Sequence, residues 1–355
     1  MGAGKSGKQP GRKPIQKTGV TLSDIAKAMG LSAMTVSRAF TGSAQISETT
    51  KQEVLKRAKE LGYVPNRWAR SLVTRRSSII GVLIPEISHT YFAEVTCGVE
   101  EIVDKTGFDL LLCHSRGDAE KERAEIHMLI GTRADGLIIA SVQDAKTERP
   151  FAELEDAGIP FVLVDRFFPN RRFSSVLVDD QAVGEIATSH LVGLGHKLIA
   201  HIQGPPVTPA VLRKRGYLAV MKAQGLTVDK DWIVGKDFSN LTGYSAMRKL
   251  LQLKPRPTAV FAANDPLAIG AVRACREVGL RVPEDISVVG AGCIEGDHNP
   301  SPFLTTVWWP NQEMGRAAAQ LLLDAIADSN GGETHIRTFA PKLLVRHSSG
   351  PPPAK

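Results

Sequence analysis

Two groups of residues in this 355-residue sequence have the types and spacing to do chemistry. The first is Ser32-Ala33-Met34-Thr35-Val36-Ser37-Arg38, a run that reads as the start of a short helix. Laid N-terminal end first into a DNA major groove, such a helix presents its opening residues to base edges. Arg38 can fork onto guanine O6 and N7, Ala33 and Met34 can touch a thymine methyl, and Thr35 and Ser37 can bind phosphate. The second group lies just past apolar runs of strand length: Ser88–Phe92 (with His89, Tyr91 and Phe92), His114, Asp165-Arg166 and Asn264-Asp265. Ligands of open α/β sheets sit at the carboxyl ends of the strands, so these residues predict a small-molecule crevice. Two plainer readings stay open: Asp165-Arg166 as a loop ion pair, and Asp265 as a helix cap.

Catalytic and metal chemistry find no support. There is no GxSxG, Walker A or HExxH motif. Gly193-Leu194-Gly195-His196 leaves a helix and enters a strand, the reverse of a dinucleotide fingerprint. His190, His196 and His201 do not share one helical spacing across that break. The four cysteines (Cys97, Cys113, Cys275, Cys293) lie far apart with no CxxC, which argues against a zinc set or disulfide framework and fits a reducing compartment. The opening MGAGKSGKQPGRKPIQK has no signal-peptide core, and no window approaches the ~18 apolar residues of a membrane span. A cytoplasmic protein without metal, cofactor or catalytic residues is expected.

The elements that must position these groups follow from periodicity. Thr21 and Asp24 have capping-box spacing, and Leu22, Ile25, Ala26 and Met29 share one helical face before Gly30. Ser32 opens a second helix over 33–40, with Val36 and Ala39 inward. Ser47 opens a third over 48–61, with Val54, Leu55, Ala58 and Leu61 inward and Gly62 closing it. Three short helices with one tight turn make helix-turn-helix spacing. From residue 79, β-branched runs (IIGVLI, FDLLLC, GLIIAS, PFVLVD, SVLVD, KLIAHI, TAVFAA, ISVVG) alternate with helical segments. Such alternation predicts an α/β fold of parallel sheets covered on both faces, and its length predicts two doubly wound subdomains. A strand near 305–309, a helix over 311–327 and a strand near 343–346 would cross back between them. SSGPPPAK carries no leucine heptad.

Charge is divided sharply along the chain. Residues 1–78 hold 15 Lys/Arg against 4 Asp/Glu, a net of +11; residues 79–355 hold 29 against 33, a net of −4. A polyanion-binding module attached to a near-neutral body fits this split.

Here the sequence resembles the lactose-repressor (LacI/GalR) family of transcription regulators. VTLSDIAKAMGLSAMTVSRAF and ISETTKQEVLKRAKELGYVPNRWARSL are similar to that family's DNA-binding head. IIGVLIPEISHTYFAEV, DGLIIAS, IPFVLVDR, LGHKLIAHIQGP, TAVFAANDPLAIGA, GLRVPEDISVVG and LTTV continue the resemblance over about residues 20–347. It implies a disordered basic arm (1–18), a helix-turn-helix domain (19–65), a hinge helix and linker (66–78), a core (79–347) and a disordered tail (348–355). The core would be of periplasmic-binding-protein type, with one subdomain at about 79–178 and 309–338 and the other at about 179–308 and 339–347. The implied DNA contacts are Thr21, Ser32, Ala33, Met34, Thr35, Ser37 and Arg38 in the head and Asn66, Arg67, Arg70 and Leu72 in the hinge. Leu72 would wedge into the minor groove, while Arg67 and Arg70 follow phosphates. A hinge of this length falls below the ~12–15 residues that hold as an isolated helix.

In the core, the resemblance adds Arg213 and an aromatic platform, Phe238, to the effector set and gives Asp165 and Asn264 to sugar hydroxyls. Where the family carries an acidic pair, this chain has Ala291-Gly292-Cys293. That loss, beside Arg213, Arg166 and His114, shifts the expected charge toward positive and favours a carboxylate-bearing effector such as a sugar acid over a neutral sugar. Glu295, Asp297 and His298 remain able to fill the gap. The implied function is a homodimeric repressor on a pseudo-palindromic operator, controlled by a small carbohydrate-like effector. Control by a phosphocarrier protein, and a carbohydrate-binding protein without DNA function, are the alternatives.

Overall fold

The computed structural model describes residues 19–41, 45–63, 77–143, 149–168, 172–292, 302–328 and 333–354. The chain divides into two compact units, Met1–Arg75 and Arg76–Lys355. Among the described residues, the first unit holds three helices, α1 (Leu22–Met29), α2 (Ala33–Thr41) and α3 (Glu48–Glu60). Each begins where a side-chain oxygen takes up an orphan backbone N–H. The Asp24 N–H donates to Thr21 Oγ1 at 3.3 Å and the Thr21 N–H to Asp24 Oδ2 at 2.9 Å, which completes the capping box. Ser32 and Ser47 accept from the N–H groups of Thr35 (3.0 Å) and Thr50 (3.2 Å). Gly30, at φ +67°, makes the left-handed turn into α2. Ile25, Ala26, Val36, Ala39, Val54 and Ala58 form the buried core; Leu55 is only half-buried.

The second unit is built on two sheets, each six-stranded among the described residues. The first comprises β1 (Ile79–Ile84), β2 (Asp109–His114), β3 (Gly136–Ile139), β4 (Phe161–Val164), β5 (Ser175–Val178) and β11 (Ile336–Phe339), all parallel, in the order β11-β5-β4-β3-β1-β2. The second comprises β6 (Ile199–Ile202), β7 (Ile233–Val234), β8 (Ala259–Ala262), β9 (Ser287–Ala291), β10 (Thr305–Trp308) and β12 (Lys342–Leu344). Its order is β12-β10-β9-β8-β6-β7, and only β12 runs antiparallel. The strands from β3 to β6, with β8 and β9, are buried along nearly their whole length, as expected of sheets covered on both faces. The chain passes between the sheets after β5, after β10 and after β11.

Three helix pairs cover the sheets: α4 (Thr90–Val103) with α11 (Asn311–Ala327), α7 (Asp180–Gly193) with α8 (Thr208–Ala223), and α9 (Asn240–Leu250) with α10 (Asp265–Glu277). Each pair is locked by reciprocal glycines whose missing Cβ admits the partner's backbone. Gly98 faces the Gln312 carbonyl and Gly315 faces that of Val95, and Gly184/Gly216 and Gly243/Gly270 repeat the device. Two further helices, α5 (Ala119–Gly131) and α6 (Arg149–Asp156), flank the first sheet.

The expected elements are present within a few residues, with three differences. β7 (Ile233–Val234) is too short to show a periodic pattern, and β11 is an edge strand whose Ile336, Arg337 and Thr338 are exposed, so it carries no apolar run. The tail expected to be disordered is instead built into the second sheet through residue 350. Ser348 is fully buried; its Oγ accepts from the Thr305 N–H at 2.8 Å and donates to the Val288 carbonyl at 2.6 Å. The Gly350 carbonyl lies 2.9 Å from Nε2 of buried His196. These small polar residues satisfy strand ends that would otherwise be buried without partners. The basic arm, residues 1–18, lies outside the described residues.

Candidate functional site

In the helical unit, α2 presents Ser32, Ala33, Met34 and Arg38 on its exposed side, with Met34 62% exposed, while Val36 and Ala39 face the core. Thr35 and Ser37 are half-buried. The Thr21 hydroxyl donates to Asp24 at 2.7 Å, and the hydroxyls of Ser32 and Thr35 lie 2.8 Å apart. An exposed methionine at a helix start has no packing to explain it. Asn66, Arg67, Arg70 and Leu72 lie outside the described residues.

In the second unit, a cavity of about 400 Å³ opens where the carboxyl ends of the strands of both sheets converge. The first sheet's segments contribute His89, Tyr91, Phe92, Val142, Asp165 and Arg166; the second's contribute Arg213, Phe238, Asn264, Ala291 and Gly292. Trp309, on the returning crossover, closes one wall. Eight of the ten residues expected to bind an effector therefore line one space. The other two do not. His114 ends β2, the edge strand of the first sheet, and is not among the residues that line the cavity. Asp265 is buried in α10 and accepts from the Thr306 hydroxyl at 2.7 Å. The cap of that helix is Asn264, whose Oδ1 accepts from the Leu267 N–H at 3.0 Å.

The site's electrostatics rest on buried pairs. Arg213 donates through Nε to Asp180 Oδ1 at 2.8 Å and through Nη1 to the Ala263 carbonyl at 2.8 Å, with its guanidinium 5.0 Å over the Trp309 ring. Burial pushes the Asp180 carboxyl up to about 7, against the pull of Arg213. Asp165 adopts φ +74°, a strained backbone for a residue with a Cβ, and its carboxylate lies 3.9 Å from Arg166 Nε. Burial lowers the pKa of Arg166, opposed mainly by Asp165 and then by Glu122. His89 is held toward its neutral form by burial. The Tyr91 hydroxyl faces Asp165 without completing a hydrogen bond, and burial raises its pKa strongly. Trp309 Nε1 and His89 Nδ1 are likewise buried without partners. Asn264 Nδ2 donates to the Phe238 carbonyl at 3.1 Å, and Gly204 leaves room for the Phe238 ring.

Asp180, Gly204, Trp309 and Glu122 were not anticipated. Asp180 and Glu122 each stand in the first turn of a helix, where an acid reads as an ordinary partner of the helix dipole. The positive bias expected of the cavity is also absent among its described lining residues. Glu86, Asp165 and Asp237 line it against Arg166 and Arg213, and Arg213 already has its carboxylate. Cys293, Glu295, Asp297 and His298 lie outside the described residues.

Residues 21–66 match the family described as bacterial regulatory proteins, lacI family, and residues 188–349 match the periplasmic binding protein-like domain. The HTH-type transcriptional repressor PurR of Histophilus somni is 35% identical over 92% of this chain and 98% of its own length. Among solved structures, a complex of the transcriptional regulator CelR with cellobiose is 32% identical with a TM-score of 0.69, covering 93% of this chain and 99% of that one. The Lac repressor dimer bound to operator and the anti-inducer ONPF is 27% identical with a TM-score of 0.80, covering 94% and 100%. A helix-turn-helix head and a two-sheet binding-protein core, matched in one chain nearly end to end, make this protein a member of the lacI family of bacterial regulatory proteins: a DNA-binding transcription regulator with an effector-binding domain, and not an enzyme.

Proposed function

We propose that this protein is a cytoplasmic repressor that binds a pseudo-palindromic operator as a homodimer and answers to a neutral carbohydrate held in the 400 Å³ cavity. The observation that carries the effector class is the composition of that cavity. Tyr91, Phe92, Phe238 and Trp309 supply flat apolar surfaces, and Trp309 N–H and Tyr91 O–H await oxygen partners. Stacking surfaces with a few converging polar groups suit the apolar face and hydroxyl rim of a sugar ring. The three carboxylates among the lining residues favour a neutral sugar over a sugar acid. The CelR complex holds cellobiose in a protein of the same fold, which supports the class. No helix among the described residues is long and apolar enough to cross a membrane.

On the DNA side, Ala33, Met34 and Arg38 read base edges, with Thr21, Ser32, Thr35 and Ser37 toward phosphates. Asn66, Arg67 and Arg70 extend the phosphate contacts, and Leu72 is the minor-groove wedge. Effector binding changes operator affinity by favouring one arrangement of the core over another. A gel shift on DNA upstream of the protein's own gene, with and without neutral mono- and disaccharides, tests both halves. A shift altered by one of the sugars is expected. No shift at low salt overturns the repressor reading, and a shift that no sugar alters overturns the effector class.

A further inference from the structure

Phe238, the aromatic surface that the second sheet's segments bring to the cavity, sits on residues 235–239, a loop between the short strand β7 and α9. Groups carried on loops hold their geometry less well than groups on strands or helices unless a supporting shell fixes them. Two neighbouring strands supply that shell, each from a residue two positions past its end. Beyond β6, Gly204 is buried and is not among the residues that line the cavity; a Cβ there would overlap the Phe238 ring. Gly235, at φ +113°, lets the same loop lie against the Gln203 carbonyl, which a Cβ would also meet. Beyond β8, Asn264 Nδ2 donates to the Phe238 carbonyl at 3.1 Å while Oδ1 accepts from the Leu267 N–H at 3.0 Å. One amide thus ties the loop to the start of α10, and each of its ends has a protein partner. The resemblance gives Asn264 to a sugar hydroxyl, and Asn264 does line the cavity. Its hydrogen bonds describe a different task.

We propose that Gly204 and Asn264 are positioning residues of the effector site: Gly204 seats the Phe238 ring against the end of β6, Asn264 holds its backbone, and both act on the ligand through that ring. The proposal rests on the carbohydrate reading above and deepens it, because a stacking surface selects a sugar face only where its plane and depth are fixed. A methyl group at residue 204 pushes the ring off its seat, and the cavity is the open space beside it.

Double-mutant cycles in the full chain separate positioning from direct contact. Gly204→Ala and Asn264→Ser are each made alone and together with Phe238→Leu. Serine keeps the helix cap but is too short to reach the Phe238 carbonyl. Calorimetry with glucose and cellobiose reads affinity. Each single variant should lose about tenfold, the scale of one aromatic contact. Once the ring is gone, neither should lose more than about a further twofold. Full additivity of Asn264→Ser with Phe238→Leu overturns the proposal, since a direct bond to the ligand is lost with or without the ring. Additivity for Gly204→Ala, or no loss in either single variant, overturns it as well. Fluorine NMR of protein labelled with 4-fluorophenylalanine reads the ring without any ligand, the Phe238 resonance being assigned by its loss in Phe238→Leu. That resonance should shift in Gly204→Ala and Asn264→Ser and hold its place in Gly131→Ala, whose methyl meets open space. A resonance unmoved in all three overturns the proposal. If the wild type binds neither sugar, the carbohydrate reading fails by itself, and the fluorine result still decides whether Gly204 and Asn264 position Phe238.

Discussion

At the scale of single residues, the cavity is organised by charges placed out of the ligand's reach. Asp180 is the clearest case. Its folded pKa of about 7 stands above the ordinary value of 3.8 because burial penalises the carboxylate more than Arg213 rewards it. An acid whose pKa is raised on folding keeps its proton longer in the native state, so stability declines as pH rises between about 4 and about 7. Asp180→Asn does not titrate. The difference in melting temperature between wild type and variant should therefore move in the variant's favour as pH rises through this window, read by thermal melts in matched buffers. Movement toward the wild type would mean that Arg213 stabilises the carboxylate more than burial opposes it. Much of this site was legible in the sequence: a position just past a strand end placed His89, Asp165, Arg166 and Asn264, and family resemblance added Arg213 and Phe238. The same rule also pointed to His114, which does not line the cavity, because strand-end position does not say whether a strand stands at the centre or the edge of its sheet. Asp180 and Glu122 were illegible for a different reason, since their partners are distant in sequence and only the folded chain brings them together.

At the scale of elements, alternating apolar runs and helical segments were enough to lay out both sheets, because continuous β-branched runs have few other homes than a doubly covered strand. Contacts that close the structure left weaker traces. The reciprocal glycines are one such device. A Cβ at Gly315 would collide with the Val95 carbonyl, which belongs to helix backbone and cannot swing aside. Gly315→Ala should cost about 1–3 kcal/mol, as overpacking does, and urea unfolding would show a lower midpoint at unchanged slope. Gly131, with open space around its missing Cβ, is the matched control and should tolerate alanine. The C-terminal strap is a second device. Ser348 joins β9 to β10 by bonding the Val288 carbonyl and the Thr305 N–H. Ser348→Ala orphans both groups in a dry interior and should cost about 1–3 kcal/mol. A loss near zero would mean that water replaces the hydroxyl. Periodicity could not reveal this strap, because Ser-Ser-Gly-Pro carries the composition of a loose tail and its partners, on β9, on α7 and at the start of β10, are distant in sequence.

At the scale of the whole molecule, the division of charge separates two kinds of binding. The first 78 residues carry +11 and the remainder −4, so attraction to DNA and recognition of effector draw on different parts of the chain. Operator affinity should fall steeply with salt, with a log–log slope of about −0.9 for each phosphate neutralised. A neutral effector carries no charge to the cavity and releases no counterions. Its affinity should be nearly flat over the same salt range. Linkage then imposes a further condition: the factor by which effector changes operator affinity equals the factor by which operator changes effector affinity. That shared factor is set by the core and should persist as salt weakens both DNA-bound forms together. Fluorescence anisotropy with labelled operator from about 50 to 200 mM salt, with and without the bound sugar, measures both slopes and the factor. Parallel salt lines, offset by a constant ratio, are the expected result. Lines that converge with salt would place the effector's action on phosphate contacts rather than on the core. A sugar affinity that itself falls steeply with salt would identify an anionic effector and return the cavity to the sugar acids.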